Sequence, residues 1–283
     1  MNGRGVQWDV ASGTGNPAFS PEVHDYLLAV QDEQAEAHVV RKQVPPMTPE
    51  KLMRLTGYLL RESSHQATAS SDKFLFLRDR AFFAIQFFLG ERGGDLLKLL
   101  LQEIYRAKDD TGLIVRQTYG KQRQENIAFL PRCNSVECCP VRAIDDYITA
   151  SRSLGLDLST GYVFRKLSKI GTVLDKPLTQ SGMSRRLSKY LSAIGIFEGE
   201  TTHSLRGGAA VLLKLNHECD EQAAKHIGWK SMSVWEHYAR SQVVESHEVA
   251  GTLARVFNER QDSVMKGGLL TDLDLRNLPK AYI

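Results

Sequence analysis

Hydrophobic positions recur at helical spacing along most of the chain. Residues 22–43 (EVHDYLLAVQDEQAEAHVVRKQ) show this spacing and end in Arg41 and Lys42, charges suited to the negative end of a helix. Pro45 and Pro46 stop that helix, and Thr48-Pro49-Glu50 supplies an N-cap with proline at the first helical position. The pattern then predicts helices over about 50–62, 72–89 and 93–101. Between about 103 and 130 the pattern changes to short alternating runs separated by Asp-Asp-Thr-Gly and Tyr-Gly-Lys turn signals, which predicts two or three antiparallel strands. Helices resume at about 140–153, 179–195, 204–216, 219–227 and 231–239, with another near 244–259. The fold class is therefore mainly α with a small antiparallel β-sheet.

At 283 residues, 42% of them hydrophobic and 24% charged, the chain can bury one sizeable core, or a large domain with a small partner. The pattern divides it into residues 1–46, one helix and a linker without a core of its own, a main domain over 47–262, and a tail over 263–283 (ending GGLLTDLDLRNLPKAYI). The longest apolar stretch, Ala81 to Leu89, is interrupted by Gln86 and falls short of the ~20 residues that span a bilayer, so no membrane partner is expected. Residues 1–20 are rich in Gly and Ser and have no apolar run after a basic start, so they do not read as a secretory signal, and an intracellular location is expected. Lys and Arg exceed Asp and Glu by only three, so a nucleic-acid partner has to be argued from where the charges lie. Cys133, Cys138, Cys139 and Cys219 lack the spacing of a disulfide framework. A zinc site is the alternative for the C-x4-C-C cluster. Its spacing, with His217 and Cys219 far downstream as the nearest further ligands, favours ordinary thiols.

The candidate chemistry lies in Thr202 to Ala239, THSLRGGAAVLLKLNHECDEQAAKHIGWKSMSVWEHYA. His203 and Arg206 open an apolar helix about one turn apart on the same face, within reach of one anionic group. Downstream come Ile227-Gly228-Trp229 and, nine residues after Trp229, Tyr238. This block resembles the C-terminal motifs of tyrosine recombinases, the phage integrases and their relatives. Two further motifs carry the resemblance. Gly90-Glu91-Arg92-Gly93-Gly94-Asp95-Leu96 places Arg92 where the family has its first arginine, with Asp95 standing where the pattern has Glu, and Lys121 sits in the turn of YGKQRQENIAFLP, as the family's hairpin lysine does. Taken singly each residue has an ordinary explanation: Arg92 a helix-end charge, Lys121 a turn lysine, Trp229 core, Tyr238 a packed helix tyrosine. The ordered set is what carries the resemblance.

It implies a tyrosine recombinase/type IB topoisomerase-like catalytic domain, a site-specific recombinase that cuts and rejoins DNA through a covalent 3′-phosphotyrosine at Tyr238. The residue types suit that chemistry. Arg92 and Arg206 offer forked, permanently charged donors to phosphate oxygens. His203 can take the proton of a phenol whose pKa of ~10 makes it a poor nucleophile alone. Lys121 can protonate the departing 5′-oxygen, and the indole N–H of Trp229 can donate but cannot transfer a proton. No metal or other cofactor is implied. His226 and His237, beside the motif, read as structural or solvent-facing histidines. The resemblance further implies double-stranded DNA as partner, a homotetramer on two DNA sites, a nuclear location if the source is eukaryotic, and DNA contacts from Arg185, Arg186 and Lys189 (QSGMSRRLSKYL) and from Arg123. A solvated charged face is the ordinary reading of the same helix. Only about 45 residues precede the linker, where relatives carry a core-binding domain of several helices; the first helix resembles the last of these, and the tail resembles a segment that docks on a neighbouring protomer. Through Cys138-Cys139-Pro140-Val141-Arg142 and Trp229 the chain is similar to eukaryotic mobile-element recombinases of the Crypton type. The alternatives are a type IB topoisomerase-like enzyme and a domesticated DNA-binding relative that does not cut.

Overall fold

The computed structural model describes residues 8–9, 11–38, 44–108, 110–118, 126–156, 158–168, 170–216, 219–229 and 232. The chain divides into two compact units at residues 43 and 44. In the first, Ser20 caps α1 (Pro21–Glu36) by accepting from the Val23 amide, with Pro21 in the first turn. No residue of α1 is buried, and Tyr26, Leu27 and Leu28 are exposed.

The second unit is organised around one helix. In α2 (Pro49–Ser64), capped by Thr48, Leu52, Leu55, Leu59 and Ser63 form one buried face. That face meets α3 (Ser70–Leu89), which is buried on nearly every side and is also packed by α5 (Pro140–Ser153) and α7 (Thr202–Leu215). A helix enclosed this way is hydrophobic all round, and the run Phe82-Phe83-Ala84-Ile85 is wholly inaccessible. Each buried aromatic of this kind stabilises the fold by roughly 1.5–3 kcal/mol. Arg80, a buried polar group of α3, donates to the Glu137 and Val136 carbonyls (3.0 and 2.5 Å) and pairs with Asp146 (2.6 Å).

Strands β1 (Ile104–Arg106), β2 (Gly112–Gln117) and β3 (Asn126–Pro131) form an antiparallel sheet in that order. Leu113 opposite Leu130 and Val115 opposite Ala128 face the core, while Tyr105, Ile114 and Phe129 form an exposed row across the other face. Three features depart from the sequence prediction. α1 closes at Glu36, with Ala37 as its C-cap and His38 at φ +50°, so it stops short of Arg41 and Lys42. The helix expected over 93–101 closes after α4 (Gly93–Leu96), because the Val163 amide donates to the Leu99 carbonyl and the Leu101 amide to the Gly161 carbonyl, drawing 99–101 into extended pairing. A second small antiparallel sheet, β4 (Arg165–Leu167) with β5 (Val173–Pro177), was not predicted at all.

The remaining helices are α6 (Gln180–Ala193) and α8 (Asp220–Ile227). α7 is seated by the linker: the Met47 amide donates to the Ser204 carbonyl (2.8 Å), and the Met47 backbone lies so close to Gly208 that a Cβ there would fall 1.9 Å from its oxygen. No helix among the described residues is long and apolar enough to cross a membrane. Lys121, Arg123, His237, Tyr238, the helices expected at 231–239 and 244–259, and the tail lie outside the described residues.

Candidate active site

Three chain segments converge on Arg206. The first is the turn that ends α3. Gly90 there has φ +59°, a left-handed conformation that side chains disfavour by about 1–2 kcal/mol, and an added Cβ would meet Ile227 Cγ1 at 2.7 Å. The second is α7, whose first turns carry His203 and Arg206. The third is the end of α8, where Gly228 breaks the helix and the Trp229 amide donates to the Ala224 carbonyl (2.8 Å). Arg206, 2% exposed, donates from Nη1 to the Gly90 carbonyl (2.6 Å) and the Ile227 carbonyl (3.1 Å), and its guanidinium stacks on Trp229 with Cζ 4.5 Å from the ring centre. The guanidinium plane is thereby fixed by all three segments. Gly90→Ala is expected to cost about 2–4 kcal/mol, the backbone strain plus displacement of Ile227, read as a lower denaturant midpoint at unchanged slope.

Arg92 N-caps α4 with its side chain about one third exposed and Asp95 3.8 Å away. His203, in the first turn of α7, is held below the usual 6.5 of a histidine, first by partial burial and then by the charges of Arg206 and Arg92. It is therefore neutral at pH 7. The Gln180 amide donates to Nε2 (3.3 Å), which leaves the lone pair on that nitrogen and the proton on Nδ1. In an NMR titration of the His203 ring, Arg92→Ala should move the midpoint upward toward 6.5, because it removes one of the two cations that oppose protonation. An unmoved midpoint would show that Arg92 and His203 do not share a site.

Sequence reading missed the groups that hold these residues in place. Glu91, buried beside Arg206 (4.0 Å), accepts from the Arg92 amide (2.8 Å), and burial pushes its carboxyl above the usual range despite that amide and Arg206. Gln86 donates to the Thr202 carbonyl (2.9 Å) and the Glu91 carbonyl (3.3 Å), tying the α3 turn to the start of α7. Its position as the one polar break in Ala81–Leu89 was the visible signal. His226 contacts the Phe88 carbonyl through Nε2 (2.8 Å), a structural role. On α6, Arg185 and Lys189 are exposed, while Arg186, with its side chain 30% exposed, turns toward Asp79 and Tyr190.

The arrangement brings two guanidiniums close enough to His203 to oppose its protonation. The model of the phage integrase family matches residues 59–245, about two thirds of the chain. The chain belongs to that family. A comparison with curated protein sequences gives no match. Among solved structures, this integrase-family chain is similar to the XerH site-specific recombinase in a post-cleavage complex with a palindromic difH substrate (15% identity, 74% of this chain and 54% of that one, TM-score 0.53). It is also similar to the XerA recombinase (16% identity, 71% and 60%, TM-score 0.50). These identities speak for a shared fold, mostly helical with small antiparallel sheets, and the chain spans little more than half the length of the structures it matches. The family match runs through Arg92, His203, Arg206 and Trp229 and extends past Tyr238.

Proposed function

We propose that this integrase-family chain is a site-specific DNA recombinase that cuts and rejoins strands through a 3′-phosphotyrosine at Tyr238. The observation that carries this reading is the convergence of Arg92, neutral His203 and buried, pre-oriented Arg206 around the turn that ends α3. In the proposed step the Tyr238 oxygen attacks the scissile phosphorus while His203 Nε2, released from the Gln180 amide, takes the phenolic proton. Arg92 and Arg206 stabilise the charge that builds on the non-bridging oxygens. The bond to the 5′-oxygen breaks, and Lys121 supplies the proton to that leaving group. The phosphotyrosine conserves the bond for attack by a second 5′-hydroxyl, which reverses each proton transfer. Trp229 acts as the stacking support of Arg206, consistent with its 4.5 Å approach.

The domain assignment follows from this reading: residues 47–262 form the catalytic domain, 1–46 the last helix of a core-binding region with its linker, and 263–283 a tail that docks on a neighbouring protomer in a homotetramer on two double-stranded DNA sites. Arg185, Lys189 and Arg123 contact that DNA. A mobile-element origin of the Crypton type, with nuclear integration or excision, is the finer form of the proposal. A type IB topoisomerase-like enzyme would use the same step on one duplex; the short spacing between the motifs favours the recombinase. A relative that binds DNA without cutting would not need the complete set of chemical groups.

Nicked suicide substrates carrying candidate element ends test the proposal. Wild type should accumulate a covalent protein–DNA complex, and Tyr238→Phe should bind the same DNA and form none. An adduct that persists in Tyr238→Phe removes Tyr238 from the role. Relaxation of a supercoiled circle without strand exchange between two duplexes would favour the topoisomerase reading.

A further inference from the structure

The connection from β3 to α5 carries three of the four cysteines, and they are not equivalent. Arg80 anchors the segment through the Val136 and Glu137 carbonyls, and the Cys138 amide donates to Ser135 Oγ (3.2 Å). This turns the Cys138 sulfur toward α2, 3.3 Å from Thr56 Oγ1. Cys139 points the other way. It is the N-cap of α5, fully buried, and the Cys133 amide donates to its sulfur at 3.4 Å. The backbone of Cys133 thus lies against the Cys139 sulfur, and Cys133 is partly exposed.

We propose that Cys133 and Cys139 form a redox modification site that closes to an intramolecular disulfide by exchange with a small-molecule disulfide of the glutathione type. The geometry divides the labour. Cys133 is the thiol that solvent reaches, so its thiolate attacks one sulfur of glutathione disulfide and expels a glutathione thiolate. Cys139, enclosed where glutathione cannot follow, then attacks the Cys133 sulfur of the mixed disulfide and expels the second glutathione thiolate. The two protons lost by the cysteines end on the two glutathiones, and the protein loses the two electrons that reduce the glutathione disulfide. Cys139 is suited to the second attack. Burial opposes its ionisation, yet the amides of Arg142, Cys133 and Val141 outweigh burial and hold the thiol below its ordinary value. Cys133 is pushed the other way, by burial and then by neighbouring Cys139. The bond would tie the end of β3, the return strand after the Lys121 segment, to the start of α5.

The test uses the full chain, equilibrated in buffers of increasing glutathione disulfide to glutathione ratio, quenched in acid, alkylated and digested with trypsin. All three cysteines fall in one peptide, Cys133–Arg142. The expected result is loss of two of its three alkylation sites at oxidising ratios, reversed by excess glutathione, with fragmentation placing the bond between Cys133 and Cys139. Cys138→Ser should retain the transition, Cys139→Ser should stop at a mixed disulfide on Cys133, and Cys133→Ser should stay reduced. Full alkylation of the wild-type peptide at every ratio would overturn the proposal, and so would a bond that involves Cys138. Because the decisive reading is on the wild-type chain, it does not depend on any variant folding.

Discussion

Arg206→Lys is expected to slow covalent-complex formation on a nicked substrate by about 10²–10³-fold at saturating DNA, the loss that follows removal of one pre-oriented donor from a developing oxyanion. The charge survives the substitution, so a purely coulombic role would predict little change. What is lost is the plane. The guanidinium bridges the Gly90 and Ile227 carbonyls from one nitrogen while lying on Trp229, and an ammonium on a flexible stem cannot do both. The same change leaves buried carbonyl groups poorly matched, with an expected stability loss of about 1–3 kcal/mol. Both quantities should be measured, because the rate loss must persist at temperatures where the variant is fully folded. A lysine variant that reacts at the wild-type rate would show that orientation of Arg206 contributes nothing to the chemistry. Trp229→Phe, which keeps a stacking face, should lie between wild type and Arg206→Lys.

The motif residues that the structure describes were legible because the chemistry of phosphate transfer restricts residue type and the chain order restricts spacing. Arg92, His203 and Arg206 could be named from sequence since each sits at the start of an element that the apolar periodicity already outlined. The support around them was less visible. Glu91 and Gln86 act through backbone amides and carbonyls of residues far away in sequence, as with Gln86 and Thr202, and no local pattern encodes such a partner. The same reason explains the errors of structure. Leu99 and Leu101 sit in a run with helical spacing, but their backbone groups pair with Gly161 and Val163, a tertiary contact that overrides the local preference. The β4–β5 hairpin is short, and its strands of three and five residues carry mixed polar and apolar positions, too few to establish a period of two. Arg186 shows a related limit. It follows Arg185 in sequence, and an adjacent pair of arginines reads as one basic patch, but 100° of helical rotation sends one to solvent and the other to a buried carboxylate.

That carboxylate carries the largest stability effect expected in the molecule. Asp79 is wholly buried, and it accepts from Arg78 Nε (2.9 Å) and Nη2 (2.7 Å), from the Tyr190 hydroxyl (2.7 Å) and from Arg186 Nε. Arg186 in turn donates to the Tyr190 oxygen (2.5 Å) and lies over its ring, 5.5 Å from the centre. One carboxylate therefore pairs with two guanidiniums, one of them almost fully enclosed, and joins α3 to α6. Burial and the Asp79 charge also push the Tyr190 phenol well above its ordinary range, so it remains a neutral donor. Asp79→Ala removes the only acidic member and leaves buried cations without compensation, a change that typically costs about 3–5 kcal/mol. For a domain of this size that corresponds to a fall in Tm on the order of 10 °C. Asp79→Asn keeps the shape and part of the hydrogen bonding and should lose less. Because α6 also supplies Gln180 to His203 and presents Arg185 and Lys189, loosening it should be felt at the site. Arg185→Ala, by contrast, should leave Tm unchanged and reduce the salt dependence of DNA binding by about one phosphate contact, whereas Arg186→Ala should lower Tm. If Asp79→Ala unfolds within 1 kcal/mol of wild type, the buried network is not what holds α3 and α6 together, and the inward turn of Arg186 needs another cause.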